Sequence, residues 1–389
     1  MKIAYLTSYD VLNSSQWADK KIGLYGAGYH LAKTLKSQDV FLEYIGPITY
    51  SSPSLIHKFK WHFNRNFFKN DYFYFLEPEI LEEYGKRISL RVTKSNSDVV
   101  LCPENTIPIA YLNCEQPIVL WTDAPLSASI DLYAWLNNLS AETTRHLHEM
   151  EKLALDKCKL IIFLSEWAAQ TTIETYGIDP AKIKVIPWGA NLDTYRNFDD
   201  ISSIAESKAS DRTKLLFIGV DWFRKGGDIA FAVAKQLNKS GIETELTVVG
   251  CEPIIDEPLP KFVKNLGFIN KYSPAGAEQI NQLFSEAHFL ILPSRADFSP
   301  HVFCEANSFG LPCISSNVGG IPTLIVDNLN GKTFALDAST LDYCSYIATL
   351  MSDREQYKNL VYSSFNEYQT RLNWTVAAQT GKQVIQEIL

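Results

Sequence analysis

Between Phe289 and Pro322 the chain alternates short apolar runs with loops that open on small residues, and few folds accept that alternation. Phe289-Leu290-Ile291-Leu292 is one run and Leu311-Pro312-Cys313-Ile314-Ser315 the next. A helix-like segment lies between them, and Gly319-Gly320 opens another helix. Continuous apolar runs this short read as strands buried on both faces, which is the situation of a parallel sheet covered by helices. In such sheets the loops at the strand ends bind phosphate-bearing ligands, where small residues and helix N-termini accept negative charge. Two carboxylates, Asp297 and Glu305, stand eight residues apart in that location.

The pattern occurs twice along the chain. The first half opens with an apolar run at Ile3-Ala4-Tyr5-Leu6, followed by a predicted loop holding Gly23, Gly26 and Gly28 and a helix from Tyr29 to Leu35. Runs at Val99–Leu101, Ile118–Leu120, Leu160–Leu164 and Ile183–Pro187 continue it. The second half restarts at Leu215-Leu216-Phe217-Ile218, with a glycine-rich loop and a helix over Asp228–Leu237, then runs at Leu246–Val249, Phe289–Leu292 and Pro312–Ser315. Strands alternating with helices in two successive series predict two doubly wound α/β domains, 1–195 and 196–373. The polar segment Asp199–Thr213 reads as the linker, and 374–389 as an amphipathic helix. A length of 389 residues fits two domains.

Composition narrows the function. A net charge of −8 argues against a nucleic-acid-binding chain. The seven cysteines form no C-x-x-C pair and no zinc spacing with histidine, as expected of reduced, buried thiols in a cytoplasmic protein. Lys2 leads into only four apolar residues before Thr7-Ser8-Tyr9-Asp10, too short for a secretion signal, and no run approaches the ~20 apolar residues of a membrane span.

Asp297-x7-Glu305-Ala306, followed by Gly310-Leu311-Pro312 and Val318-Gly319-Gly320-Ile321-Pro322, resembles the E-x7-E signature of glycosyltransferase family 4, the retaining enzymes of the GT-B fold. Asp replaces the first Glu of that signature. The loop Gly219-Val220-Asp221-Trp222-Phe223-Arg224-Lys225-Gly226 resembles the family's G-R-x-x-x-x-K-G donor loop, with Val220 at the usual Arg position. Ser165-Glu166-Trp167 and Trp188-Gly189-Ala190-Asn191 are similar to further family stretches, and Gly26-Ala27-Gly28 to its first-domain glycine loop. The resemblance spans nearly the whole chain and is more specific in the second half.

It implies two Rossmann-like domains with a cleft between them and a C-terminal helix that crosses back to the first. It implies a nucleotide diphosphate sugar of UDP or GDP type as donor. Glu305 would bind the ribose hydroxyls and Asp297 the donor sugar, while Arg224 and Lys225 would neutralise the diphosphate. Gly219, Ser299, Pro300, His301, Val302, Gly319 and Gly320, with Gly26 and Gly28 from the first domain, would line the donor site. No metal or other cofactor is expected, since no D-x-D site with strand context occurs. Read from the residues alone, a cation at a helix start is unfavourable unless an anion binds there. Asp297 and Glu305 alone would also fit helix-start acids. Asp123, after the run Ile118–Leu120, reads either as a catalytic-pocket residue or as an N-cap.

The segment Ser51–Asn70 contains Lys58, Lys60, Arg65 and Lys69 and no acid. At 100° per residue Leu55, Ile56, Phe59, Phe63 and Phe67 share one stripe. Lys58, Arg65 and Lys69 lie on another, with Trp61 and Phe68 beside it. Two readings stay open, a lipid headgroup surface or the solvated side of an ordinary packed helix.

The expected activity is therefore hexosyl transfer to a saccharide or lipid-linked acceptor in cell-surface polysaccharide or glycolipid synthesis. The expected place is the cytoplasm or the inner membrane face. The alternatives are a non-catalytic nucleotide-sugar-binding subunit, or an epimerase or phosphorylase on the same fold.

Overall fold

Every residue of the run Phe289–Leu292 is buried, and so is every residue of Val99–Cys102 in the first half. These runs are central strands of two parallel sheets. The computed structural model describes residues 1–389 except 14–16, 18–21, 131, 134–135 and 209–211.

The first sheet holds β1 (Lys2–Tyr5), β2 (Phe41–Tyr44), β3 (Val99–Cys102), β4 (Ile118–Thr122), β5 (Leu160–Phe163) and β6 (Ile183–Val185). Its order is β2-β1-β3-β4-β5-β6, parallel throughout. The second holds β7 (Thr213–Ile218), β8 (Thr244–Val249), β9 (Val263–Asn265), β10 (Phe289–Leu292), β11 (Cys313–Ser316) and β12 (Gly331–Phe334), ordered β12-β11-β10-β7-β8-β9 and again parallel. A parallel strand can only be followed by a crossover, so helices cover both faces and the strands read as apolar runs. The order reverses between β1 and β3 in one sheet and between β7 and β10 in the other. Ligands of open α/β sheets bind at such reversals, beyond the C-terminal strand ends.

Met1–Ile186 and Ala378–Leu389 form one compact unit, and Pro187–Ala377 the other. The chain thus changes unit at Ile186–Pro187, nine residues before the division expected at 195. The predicted linker Asp199–Thr213 is mostly helix, Phe198–Ser207, with Asn197 as N-cap and Ile201 and Ala205 buried. Its polar residues had hidden two apolar positions four apart, one turn of helix. The helix Trp374–Gln386 begins in the second unit, and its residues from Ala378 belong to the first. Gly381 lets that helix lie against the ring of Trp121, where a Cβ would collide, and Lys382 Nζ donates to the Gln38 carbonyl at 2.7 Å.

Three edge strands, β2, β9 and β12, carry no run of four apolar residues, and none was read from the sequence. The predicted glycine loop before Tyr29 is instead part of the helix Ile22–Lys36, which holds Gly23, Gly26 and Gly28. Gly28 is there for closeness: a Cβ would strike the Tyr9 hydroxyl, and Tyr5 Oη donates to the Gly28 carbonyl at 2.6 Å. No helix among the described residues is long and apolar enough to cross a membrane.

Below the second sheet, Lys208 is 8% exposed, and its Nζ donates to Tyr357 Oη at 3.3 Å. Burial pulls its ammonium down to about 7. An unfolded lysine keeps its proton to about pH 10.4. The burial penalty is therefore full below pH 7 and fades as pH rises through that window. Lys208→Met should stabilise the fold by about 1–3 kcal/mol at pH 6–7, with the gain shrinking by pH 10. Chemical denaturation across that range checks it, and a gain independent of pH would contradict the assignment.

Candidate active site

At the reversal of the second sheet two loops leave side by side. Residues 219–226 follow β7 and residues 293–300 follow β10. The backbone stitches them together: Arg295 N donates to the Arg224 carbonyl at 2.7 Å, and Arg224 Nη1 to the Ala296 carbonyl at 2.9 Å. Arg295 Nη1 reaches the Phe223 carbonyl at 2.6 Å, and the same guanidinium grips Asp228 with two bonds of 2.8 and 2.7 Å. Gly226 adopts φ +76°, and a Cβ there would run into the Pro293 carbonyl. The Lys225-Gly226 pair of the motif thus has a steric reason: only glycine lets the loops cross this closely.

That crossing places Lys225 against Asp297. Lys225 Nζ lies 2.5 Å from Asp297 Oδ2, which also accepts from Ser294 Oγ at 2.9 Å. Arg224 Nη1 stands 3.8 Å from Asp297 Oδ1. Burial and then neighbouring Arg224 lower the Lys225 pKa, while Asp297 pushes it back up. Asp297 is therefore not a helix-start acid; it is a buried counter-ion held by two cations from the facing loop. Gly319, at φ +52°, packs on the Asp297 carbonyl where a Cβ would collide, and Gly320 caps the helix Ile321–Leu324. Gly319 thus brings the loop after β11 against the Asp297 backbone.

Glu305 lies within the helix His301–Asn307, buried, and pairs with Lys271 Nζ. Lys271 was not singled out from the sequence, because it follows the weakly patterned edge strand β9 and no motif surrounds it. Ser299 is 9% exposed, and among the described residues its hydroxyl has no partner. A buried hydroxyl left unpaired costs about 1–3 kcal/mol, which a bound polar group recovers. Pro300 is the N-cap of the short helix. The His301 ring stacks on Trp188 at 5.4 Å, and its Nδ1 is 3.3 Å from the Gly189 carbonyl. The Val302 side chain packs on the core, which leaves its backbone for any ligand. Gly219 sits beside Gly250, whose φ is +100° and whose Cβ would lie 2.7 Å from the Gly219 carbonyl.

The start of the helix Gly227–Lys239 is more occupied than the sequence suggests. The Asp228 carboxylate takes the backbone amides of Asp228 and Ile229; burial raises its pKa, but Arg295 and these amides lower it overall. Negative charge arriving at this loop would meet Lys225 and Arg224 instead.

In the first unit the corresponding reversal joins β1 and β3. There Glu104, 8% exposed, accepts from Ser8 N at 2.8 Å and Ser8 Oγ at 2.5 Å. Asp123 directly follows β4 and takes the Ala124 amide at 2.9 Å, while Pro125 caps the next helical turn, so Asp123 is not its N-cap. Thr122 Oγ1 donates to the Glu104 carbonyl at 2.6 Å. Asp123 and Glu104 thus share one strand edge. Gly26 and Gly28 are buried on the helix Ile22–Lys36. Glu104 was missed because no sequence motif marks it; only the strand order brings Ser8 to it.

Residues 199–366 match the family model of group 1 glycosyl transferases. The match contains both crossing loops, Lys271 and Glu305. The chain is 25% identical over 202 residues to a D-inositol 3-phosphate glycosyltransferase of Nocardia farcinica, covering 49% of this chain and 45% of that protein. It is 26% identical over 224 residues to one of Paenarthrobacter aurescens, covering 54% and 55%. The chain thus spans only 45% and 55% of the lengths of these curated relatives. Among solved structures, sucrose-phosphate synthase from Thermosynechococcus elongatus superposes with TM-score 0.68 at 15% identity, covering 100% of this chain and 98% of that one. Anabaena HepE in complex with UDP and glucose gives 0.63 at 16%, covering 99% of each, and WaaG, a glycosyltransferase of lipopolysaccharide biosynthesis, 0.63 at 16%, covering 98% and 99%. The fold is that of the GT-B glycosyltransferases.

Removing one partner of a buried ion pair strands the other charge. Lys225→Met should destabilise by about 2–4 kcal/mol, and adding Asp297→Asn should return more than half of that loss. Urea denaturation of both variants checks it; a double variant as unstable as the single one would show that the pair is not coupled.

Proposed function

We propose that the chain is a retaining glycosyltransferase of family 4 that moves a hexose from a nucleotide diphosphate sugar to a saccharide or lipid-linked acceptor, without a metal. The observation that carries this reading is the Lys225–Asp297 pair at the sheet reversal, inside the segment that matches the group 1 family model. The other support is the UDP and glucose recorded with a neighbour of the same fold. An ammonium has three donors, so Lys225 can hold Asp297 and still donate to a phosphate oxygen. Arg224 Nη1 holds the Ala296 carbonyl, which fixes the guanidinium charge beside the same loop. When the bond from the anomeric carbon to the β-phosphate oxygen breaks, the electron pair stays on the phosphate. Two fixed and largely buried cations then stabilise it. These side-chain cations do the work a metal ion would otherwise do. The acceptor hydroxyl supplies the new oxygen on the anomeric carbon and passes its proton to the departing diphosphate, and the strand edge bearing Asp123 and Glu104 is the proposed acceptor side.

Glu305 is assigned to the ribose, whose vicinal hydroxyls can both donate to one carboxylate, and Asp297 to the sugar. Glu305→Gln should weaken binding of plain nucleoside diphosphate roughly tenfold or more, the charge-assisted hydrogen bond being worth about 1.5–3 kcal/mol. Asp297→Asn should leave that binding within about threefold and reduce transfer, since its target is the sugar. Calorimetry with UDP and GDP, beside release of nucleoside diphosphate from a donor panel with and without acceptor, decides it. Equal weakening by both variants would remove this division of labour. Binding with no turnover on any donor and acceptor would favour the non-catalytic subunit.

A further inference from the structure

The segment 55–68 is an amphipathic helix mounted inside out. The helix Leu55–Phe63 runs on into a π-helical turn, Asn64–Phe68. Its apolar stripe does not face the protein: Leu55 is 84% exposed, Phe59 67%, Phe67 74% and Phe68 63%. Ile56, Trp61 and Phe63 are exposed too. The Phe63 ring touches those of Phe59, Phe67 and Phe68, with centroids 6.0, 5.0 and 5.4 Å apart, so they form one patch.

What is fastened down is the strip between, His57 and Lys60, while Lys58, Arg65 and Lys69 stay exposed. His57 is 3% exposed, and its Nε2 is 3.0 Å from Glu79 Oε1. Lys60 Nζ sits between Glu77 and Glu142 at 2.8 and 2.9 Å, and Tyr72 Oη donates to the same Glu77 oxygen at 2.5 Å. Glu77, Glu142 and His146 are the one group among the described residues with metal-like spacing. The Lys60 ammonium already bonds two of its carboxylates, so the cluster reads as a socket for this helix. At the far end Asp71 N donates to the Asn138 carbonyl at 2.7 Å. A helix that had lost its hydrophobic partner would not need such an anchorage; this one is held so that its rings stay outward.

We propose that this face docks on an anionic phospholipid bilayer. Charge selects that occupant. From Tyr44 to Asn70 the chain has no acid, although the protein carries −8 overall. Lys58, Arg65 and Lys69 are exposed beside the aromatic patch, and Arg65 lies over the Trp61 ring at 5.0 Å. A stripe of cations next to exposed aromatics gives the two signals that interfacial binding needs, headgroup attraction and ring insertion. This proposal goes beyond the donor chemistry and does not depend on it.

The test is sedimentation of the full chain with vesicles of phosphatidylglycerol and phosphatidylcholine, compared with phosphatidylcholine alone. The account predicts binding to the anionic vesicles at 0.1 M salt that is largely lost at 0.5 M. Lys58→Gln/Arg65→Gln/Lys69→Gln should weaken it by roughly tenfold or more, at about 1 kcal/mol per cation near the surface. Phe59→Ser/Phe67→Ser should abolish it with the melting temperature unchanged, because those rings touch little of the body. Wild-type protein that stays in the supernatant overturns the proposal, as does binding indifferent to both sets of substitutions. A large drop in melting temperature would show the face to be packed. A dimer split by Phe59→Ser/Phe67→Ser, without vesicle binding, would assign the face to a second copy.

Discussion

Two loops that cross at a strand-order reversal set everything else in the second unit. Because β7 and β10 are neighbours and parallel, the segments after them emerge at the same sheet edge. Backbone from both loops is forced together, and glycine at 226 is the steric condition for it. Once the loops cross, Lys225, Arg224 and Asp297 cannot avoid one another, and Arg295 with Asp228 locks the crossing from the outside.

The consequence is a site that is charged but internally balanced. Asp297 is neutralised by Lys225, and Glu305 by Lys271. Burying single charges here would be expensive, and burying pairs is tolerable when the remaining lone pairs and protons find partners. A phosphate arriving at such a site does not need the pairs to break. A phosphate bound as proposed would take the remaining donors of Lys225, and the buried Ser299 hydroxyl in the facing loop has no partner among the described residues. In the proposed transfer, preorganisation of this kind would let the cations act at bond cleavage with little rearrangement.

Much of this was legible in the residues, for identifiable reasons. Central parallel strands must be apolar on both faces, so β3, β5, β7 and β10 announced themselves, whereas the half-exposed edge strands β2, β9 and β12 did not. Lys225, Asp297 and Glu305 could be named because they stand in stretches that resemble glycosyltransferase motifs. Lys271 and Glu104 could not, since their partners are 34 and 96 positions away and only the sheet order unites them. Glycines misled where closeness rather than a turn was the cause: Gly28 serves Tyr9 from within a helix. The segment 51–70 showed its two stripes plainly, but periodicity does not say which stripe is turned outward. Both are, because the helix is fastened through Lys60 and His57, which lie on neither stripe.

The nucleoside diphosphate is proposed to bind on the crossed loops of the second unit. Hydrogen–deuterium exchange with and without saturating UDP or GDP, whichever binds, tests it most directly. The account predicts slowed exchange confined to peptides covering 219–226, 271 and 294–305, with β1, β3 and β4 of the first unit unchanged. Protection that appears only in the first unit, or binding that leaves both loops exchanging at their free rates, would contradict it.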